Sequence, residues 1–213
     1  MPYTQHANLI LESVEAWNAW RAKTPGSKPD LSGINLSGRD LRRADLRWVN
    51  FANANLVNTS FYGVNLEHAN FFAAKLLQAD LRNTNLTGAE LSHAEVPGAL
   101  MEGACLAQAT INNVNLRSQR LMCANLRGAN LYQADLTRAD LTCADLTGAA
   151  LVEAVLEGAV FFKACLERAN LTGAKLRQTD FRGANMTGAV LRDVNLREAS
   201  MSVGQRIWRG FKK

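Results

Sequence analysis

The sequence predicts an all-β solenoid, on three observations. Every fifth residue from Leu31 to Met201 is large and apolar, giving 35 consecutive positions: 25 Leu, 5 Phe, and Val96, Met101, Ile111, Met186 and Met201. Two residues before each sits a small side chain, Ala at 24 of the 35. The residue directly before it is Asn or Asp at 20 of the 35. A period of five fits neither the helix nor the strand. On an α-helix each step of five advances roughly 140° beyond a full turn and sprays the leucines around the cylinder. On a strand, odd spacing sends alternate leucines to opposite faces. A chain that turns a corner every five residues keeps them all inside, and four such sides close a coil of 20. Coils stacked by backbone hydrogen bonds lie about 4.7–4.9 Å apart, so residues 31–201 make roughly 8.5 coils and a rod about 40 Å long.

The units themselves, Ala-Asn-Leu-Arg-Gly from Ala124 and Ala-Asp-Leu-Thr-Arg from Ala134, resemble the A-(D/N)-L-x-x unit of the pentapeptide-repeat family. The resemblance covers about four fifths of the chain. It implies a right-handed quadrilateral β-helix of about 8–9 coils, with a short N-terminal capping α-helix and room for a short C-terminal helix. The expected organisation is a capping helix and linker over 1–29, one repeat domain over 30–203, and a basic, aromatic tail over 204–213.

Ala7 to Lys23 reads as one amphipathic helix, with Ile10, Val14, Trp17 and Trp20 on a stripe and Glu12, Glu15 and Arg21 off it. Thr24-Pro25-Gly26-Ser27-Lys28-Pro29 ends it with breakers. Trp17 and Trp20 are candidates for an end cap, because an open solenoid end exposes unpaired backbone and apolar stacks. Ile207, Trp208 and Phe211 in the tail are candidates for the opposite cap or for a dimer contact.

Within the rod, the Asn and Asp before each centre favour turns and can bond neighbouring backbone. Gly88, Gly128, Gly148 and Gly188 fall in one column of corners, where positive φ is cheap. Arg39 and Gln119 occupy inward positions meant for small residues, so a bulge or polar network is expected near 118–120. Outward apolar residues are not needed for the fold, and clusters of them point to a partner. Val57 and Leu77 stack in one outward column, flanked by Tyr62 and Phe72, while Val152 and Phe162 point outward further along. These six form the candidate partner surface.

No chemistry of catalysis is written here. His6, His68 and His93 are far apart, and no metal spacing, phosphate loop or nucleophile motif occurs. The reading is no enzyme and no cofactor. Four scattered cysteines form no disulfide framework, although Cys123 and Cys143 stack one coil apart. There is no apolar run of about 18 residues, and Met1 to His6 lacks the start of a signal peptide. The expected setting is therefore a reducing cytoplasm, away from membranes, and the family resemblance makes the solenoid a bacterial-type one.

The net charge of +5 divides as +2 over residues 1–50, −2 over 51–150 and +5 over 151–213. The resemblance brings in proteins that protect DNA gyrase by imitating DNA, as acidic rods paired end to end. This chain shares the shape without the charge. The leading expectation is a non-catalytic solenoid that presents faces to an unidentified protein partner, as scaffold or regulator. The alternative is a DNA-mimicking modulator of gyrase or topoisomerase. A third reading, nucleic-acid binding through the basic C-terminal end, ranks lower because its arginines have few interleaved aromatics. A homodimer through that end is also expected.

Overall fold

A turn every five residues leaves five backbone N–H groups per unit to be placed, and each has a fixed destination. In the computed structural model, which describes residues 4–202, the unit around Leu126 shows the scheme. The Leu126 N–H donates to Asp145 O (2.7 Å) and the Gly128 N–H to Thr147 O (2.9 Å), both on the following coil. The Asn125 N–H donates the other way, to Ala104 O at 3.1 Å. The Ala124 N–H closes a turn onto Leu121 O at 3.1 Å. The Arg127 N–H is accepted by the side-chain Oδ1 of Asn125 at 3.1 Å. The preference for Asn or Asp before each centre is thus a requirement for an acceptor two residues back.

Parallel bridges join residues 20 apart, from Asp30 with Asn50 to Asp180 with Ser200. Each is a single residue pair, because corners this frequent leave no room for an extended run. The corners are type II turns: the centre carbonyl accepts from the residue three on, and the third residue has positive φ. Positive φ occurs at every fifth residue from Gly33 to Asp193, at 12 glycines and 21 other residues. An L-residue held there costs about 1 kcal/mol. It is held because its own N–H is one of the two that bond the next coil.

Leu31 to Met186 and Met201 are buried at every centre, beside the small residues two positions before them. Phe51 and Phe71 stack at 5.3 Å with Phe61 edge-on to both, and Phe161 stacks on Phe181 at 5.1 Å. Leu191 and Leu196, expected inside, are only partly buried. A 3-10 helix, Leu196–Glu198, replaces the last corner, and Gln178 N–H reaches Glu198 O one residue out of register. The tail with Ile207, Trp208 and Phe211 lies outside the described residues.

The N-terminal segment is two helices, not one: α1, Thr4–Glu12, and α2, Val14–Lys23. Ser13 is extended (φ −166°, ψ 162°) and its hydroxyl accepts the Ala16 N–H at 3.0 Å, so it ends α1 and caps α2. The pair lies on the first coil. Trp17 is fully buried, and its indole N–H donates to Asp45 O at 2.8 Å. Buried Arg21 donates to Ser27 O and to Arg47 O, with the Asp45 carboxylate 3.6 Å away. Asn18 bonds Arg43 O and the Asp45 N–H, and His6 Nδ1 accepts from the Asp30 N–H. No side chain of α1 or α2 bonds the backbone of residues 35–42 among the described residues. That corrects the inward placement of Arg39, which is exposed: its side of the first coil has no coil beneath it and no helix bonded over it, so the guanidinium stays in water.

Gln119 does point inward, and the disturbance expected around it is present. Its amide Nε2 donates to Ala99 O, which elsewhere would accept the N–H of residue 120. Bridges from Glu95 to Asn115 and from Leu100 to Arg120 are missing, while those on the other two sides of this coil persist. Arg120 spans the gap with an ion pair to Glu102 at 3.1 Å. The opening follows from forcing a long side chain between coils where alanine fits. Amide exchange at Val96, Gly98 and Met101 is expected to be faster than at Leu126, Gly128 and Leu131. Equal protection in both groups would reject the gap.

Candidate interaction surface

Each coil offers four outward faces, numbered here by the columns starting at Leu31, Leu36, Leu41 and Leu46. On each unit the residue before the centre and the two after it face solvent. Where Asp precedes the centre and Arg follows it, the two lock together. Arg42 grips both oxygens of Asp40, Arg82 those of Asp80 and Arg182 those of Asp180, at 2.6–3.1 Å. Arg47 does the same to Asp45 at 2.8–2.9 Å. Hydrogen bonds from Arg82 hold the Asp80 carboxyl below its ordinary 3.8, and Arg42 and Arg182 act likewise on Asp40 and Asp180. At Asp135 burial pushes the carboxyl up, but the Thr137 hydroxyl and N–H, with Arg117, outweigh it. These carboxylates stay ionised but are individually neutralised.

The six candidate partner residues do not form one patch. Phe72 and Val152 lie on the first face, four coils apart. Val57 and Leu77 lie on the second, on adjacent coils joined by the Asn58 N–H to Leu77 O bond. Tyr62 and Phe162 lie on the third, five coils apart. Tyr62 and Phe72 are 46% and 44% exposed and Phe162 37%, whereas Val57, Leu77 and Val152 are half-buried between their neighbours. The exposed rings are partly engaged: Arg82 lies 5.6 Å over Tyr62, Lys163 lies 5.2 Å from Phe162, and His93 meets Phe72 edge-on. Trp17 and Trp20 pack together at 5.4 Å on the first coil.

Sequence reasoning passed over Trp48. It is 42% exposed, with Lys28 on one side of its ring and His68 stacked at 4.0 Å on the other. The 20-residue spacing of Lys28, Trp48, His68 and Gly88 was the available signal. Gly88 is needed there, since a Cβ would lie 2.5 Å from His68 Nδ1.

Charge is unevenly shared. From Ser32 to Val190 the first face has no Lys or Arg, and its two carboxylates are engaged. Glu90 accepts the Ser92 N–H at 2.6 Å, and Glu153 accepts from Gln133 at 2.7 Å and the Tyr132 hydroxyl at 3.3 Å. Cys123 and Cys143 are exposed thiols, while Cys105 and Cys165 are half-buried beside Thr87 and Thr147. Among the described residues no group of His, Cys, Asp and Glu could hold a metal ion, and no helix is long and apolar enough to cross a membrane.

The family model for pentapeptide repeats matches residues 30–67, 65–103, 99–138, 120–158, 139–178 and 164–202. The chain belongs to the pentapeptide-repeat family. Solved pentapeptide-repeat structures resemble it along most of their length. HetL of the cyanobacterium Nostoc sp. strain PCC 7120, described as involved in heterocyst differentiation regulation, is 29% identical over 87% of this chain and 96% of its own, with a TM-score of 0.37. A trypsin-treated variant of QnrB1, a plasmid-mediated fluoroquinolone resistance protein, is 18% identical over 82% and 92%, with a TM-score of 0.41. A pentapeptide-repeat protein of the Arabidopsis thaliana thylakoid lumen is 23% identical over 84% and 72%, with a TM-score of 0.16. The comparison with curated proteins gives no match.

Proposed function

We propose that this chain is a non-catalytic, right-handed quadrilateral rod of about 8–9 coils that works in a bacterial cytoplasm by presenting a face to a protein partner. The observation that carries the reading is the first face: an eight-coil strip without Lys or Arg in a chain that has 24 of them. It displays Phe72, Tyr132 and Val152. Depletion of charge with enrichment of aromatics distinguishes protein interfaces from ordinary surface. Repeat rods commonly bind through such extended faces. The two N-terminal helices serve as the cap of the first coil in this reading, and a homodimer through the C-terminal end is compatible with it.

Imitation of DNA ranks lower. It needs rows of free carboxylates, and here Asp40, Asp45, Asp80 and Asp180 are each clasped by an arginine.

The test is affinity capture with immobilised rod, comparing wild type with Phe72→Glu/Val152→Glu. A specific protein retained by wild type and lost from the variant is expected. A partner held equally by both, with the variant folded by circular dichroism, rejects the first face.

A further inference from the structure

On the second face, beside the corner into the third, the surface is concave. A groove of about 290 Å³ is lined by Arg117, Thr137, Arg138, Glu157, Gly158, Arg177 and Gln178. Its origin lies in small residues. Thr137 is drawn down onto Asp135, its hydroxyl donating to Oδ1, and is buried. Gly158 has no side chain, and the Arg138 stem runs across it, with Cγ 3.4 Å from where a Cβ would stand.

Several arginines of the third and fourth faces are already committed. Arg42, Arg47, Arg82 and Arg182 are each spent on the Asp two residues earlier. Arg117 is paired across coils with Asp135 at 3.1 Å. Arg138 and Arg177 make no ion pair among the described residues, although Glu157 shares the groove with them. Two arginines thus line one cavity without an ion pair to hold their guanidinium groups. Such groups match a carboxylate or a phosphate in two-point contacts.

We propose that this groove receives an acidic side chain from a protein segment running along the second face. Glu157 in the groove, with Asp135 beside it, argues for single carboxylates rather than a polyanion. A nucleic-acid backbone tracking the face would also meet Glu95 and Glu198, so charge favours an interrupted acidic peptide. The proposal deepens the protein-partner reading and rests on it, placing a charged anchor one face away from the uncharged strip.

The experiment is fluorescence anisotropy at low ionic strength with a fluorescein-labelled peptide of alternating Glu and Ala. Arg138→Ala/Arg177→Ala is expected to weaken binding about tenfold or more. Arg42→Ala/Arg82→Ala, which removes the same charge from paired positions, is expected to leave it within about twofold. Equal weakening by both variants would assign the effect to net charge and overturn the site. So would absence of peptide binding, or tighter binding of a single-stranded oligonucleotide that depends on Arg138 and Arg177. Failure here with capture still lost in Phe72→Glu/Val152→Glu rejects the groove alone, whereas capture unaffected by the first-face variant rejects the wider reading.

Discussion

Leu126→Asp abolishes the folded rod, and Leu126→Ala lowers its unfolding free energy by roughly 2–5 kcal/mol. Leu126 is fully buried at mid-rod, with Leu106 and Leu146 above and below it in the same column and alanines alongside. Truncation to Ala leaves a void that the ladder cannot close, because each coil is tied to its neighbours through bonds with little slack. A carboxylate in the same place has no partner within the column. Urea unfolding followed by circular dichroism measures both. An Ala variant with an unchanged midpoint would mean that the column is not the core.

Deletion of residues 1–24 is expected to convert soluble protein into aggregates, seen by light scattering after size exclusion. The first coil presents carbonyls and N–H groups towards α1 and α2, and several are met by particular atoms. Trp17 and Arg21 donate to the carbonyls of Asp45 and Arg47, while Asn18 and His6 accept from the N–H groups of Asp45 and Asp30. Removing the helices strips these partners and uncovers an edge ready to pair with another chain. Trp17→Ala is the milder form, costing roughly 3–5 kcal/mol locally. A shortened rod that stays monomeric would show that the helices are dispensable.

The interior was legible because burial is repeated. A mistake at one unit would have broken a period that runs unbroken from Leu31 to Met201. The backbone role of Asn and Asp was legible for the same reason. What escaped the reading depends on single side chains. Ser13 splits the N-terminal helix because its hydroxyl outcompetes helical geometry, and an apolar stripe does not register one cap. Arg39 and Gln119 break the same inward rule with opposite outcomes. Gln119 lies between two coils and must find Ala99 O, whereas Arg39 lies on an end coil and turns to water. Positive φ at 21 residues other than glycine has no residue-level signature at all, since tertiary bonding overrides propensity there. The candidate surface was legible only in part. Outward positions follow from the period, but whether two side chains share a face requires counting in twenties. That count separates Phe72 from Tyr62, and gathers Arg117, Arg138 and Arg177 around one hollow.

The bonding scheme of the coils also gives the rod a polarity. In each unit two peptide groups point their N–H towards the C-terminal end and one points back, so one peptide dipole per unit is uncompensated. With four units per coil and about 4.8 Å between coils, these add to a field equivalent to about half an elementary charge at each end. Its sense is opposite to that of an α-helix, with the positive pole at the C-terminal end and the negative pole at the first coil. The negative pole is where Arg21 sits buried against carbonyl oxygens. The positive pole lies at the last coil, where an anion approaching along the rod axis is drawn in.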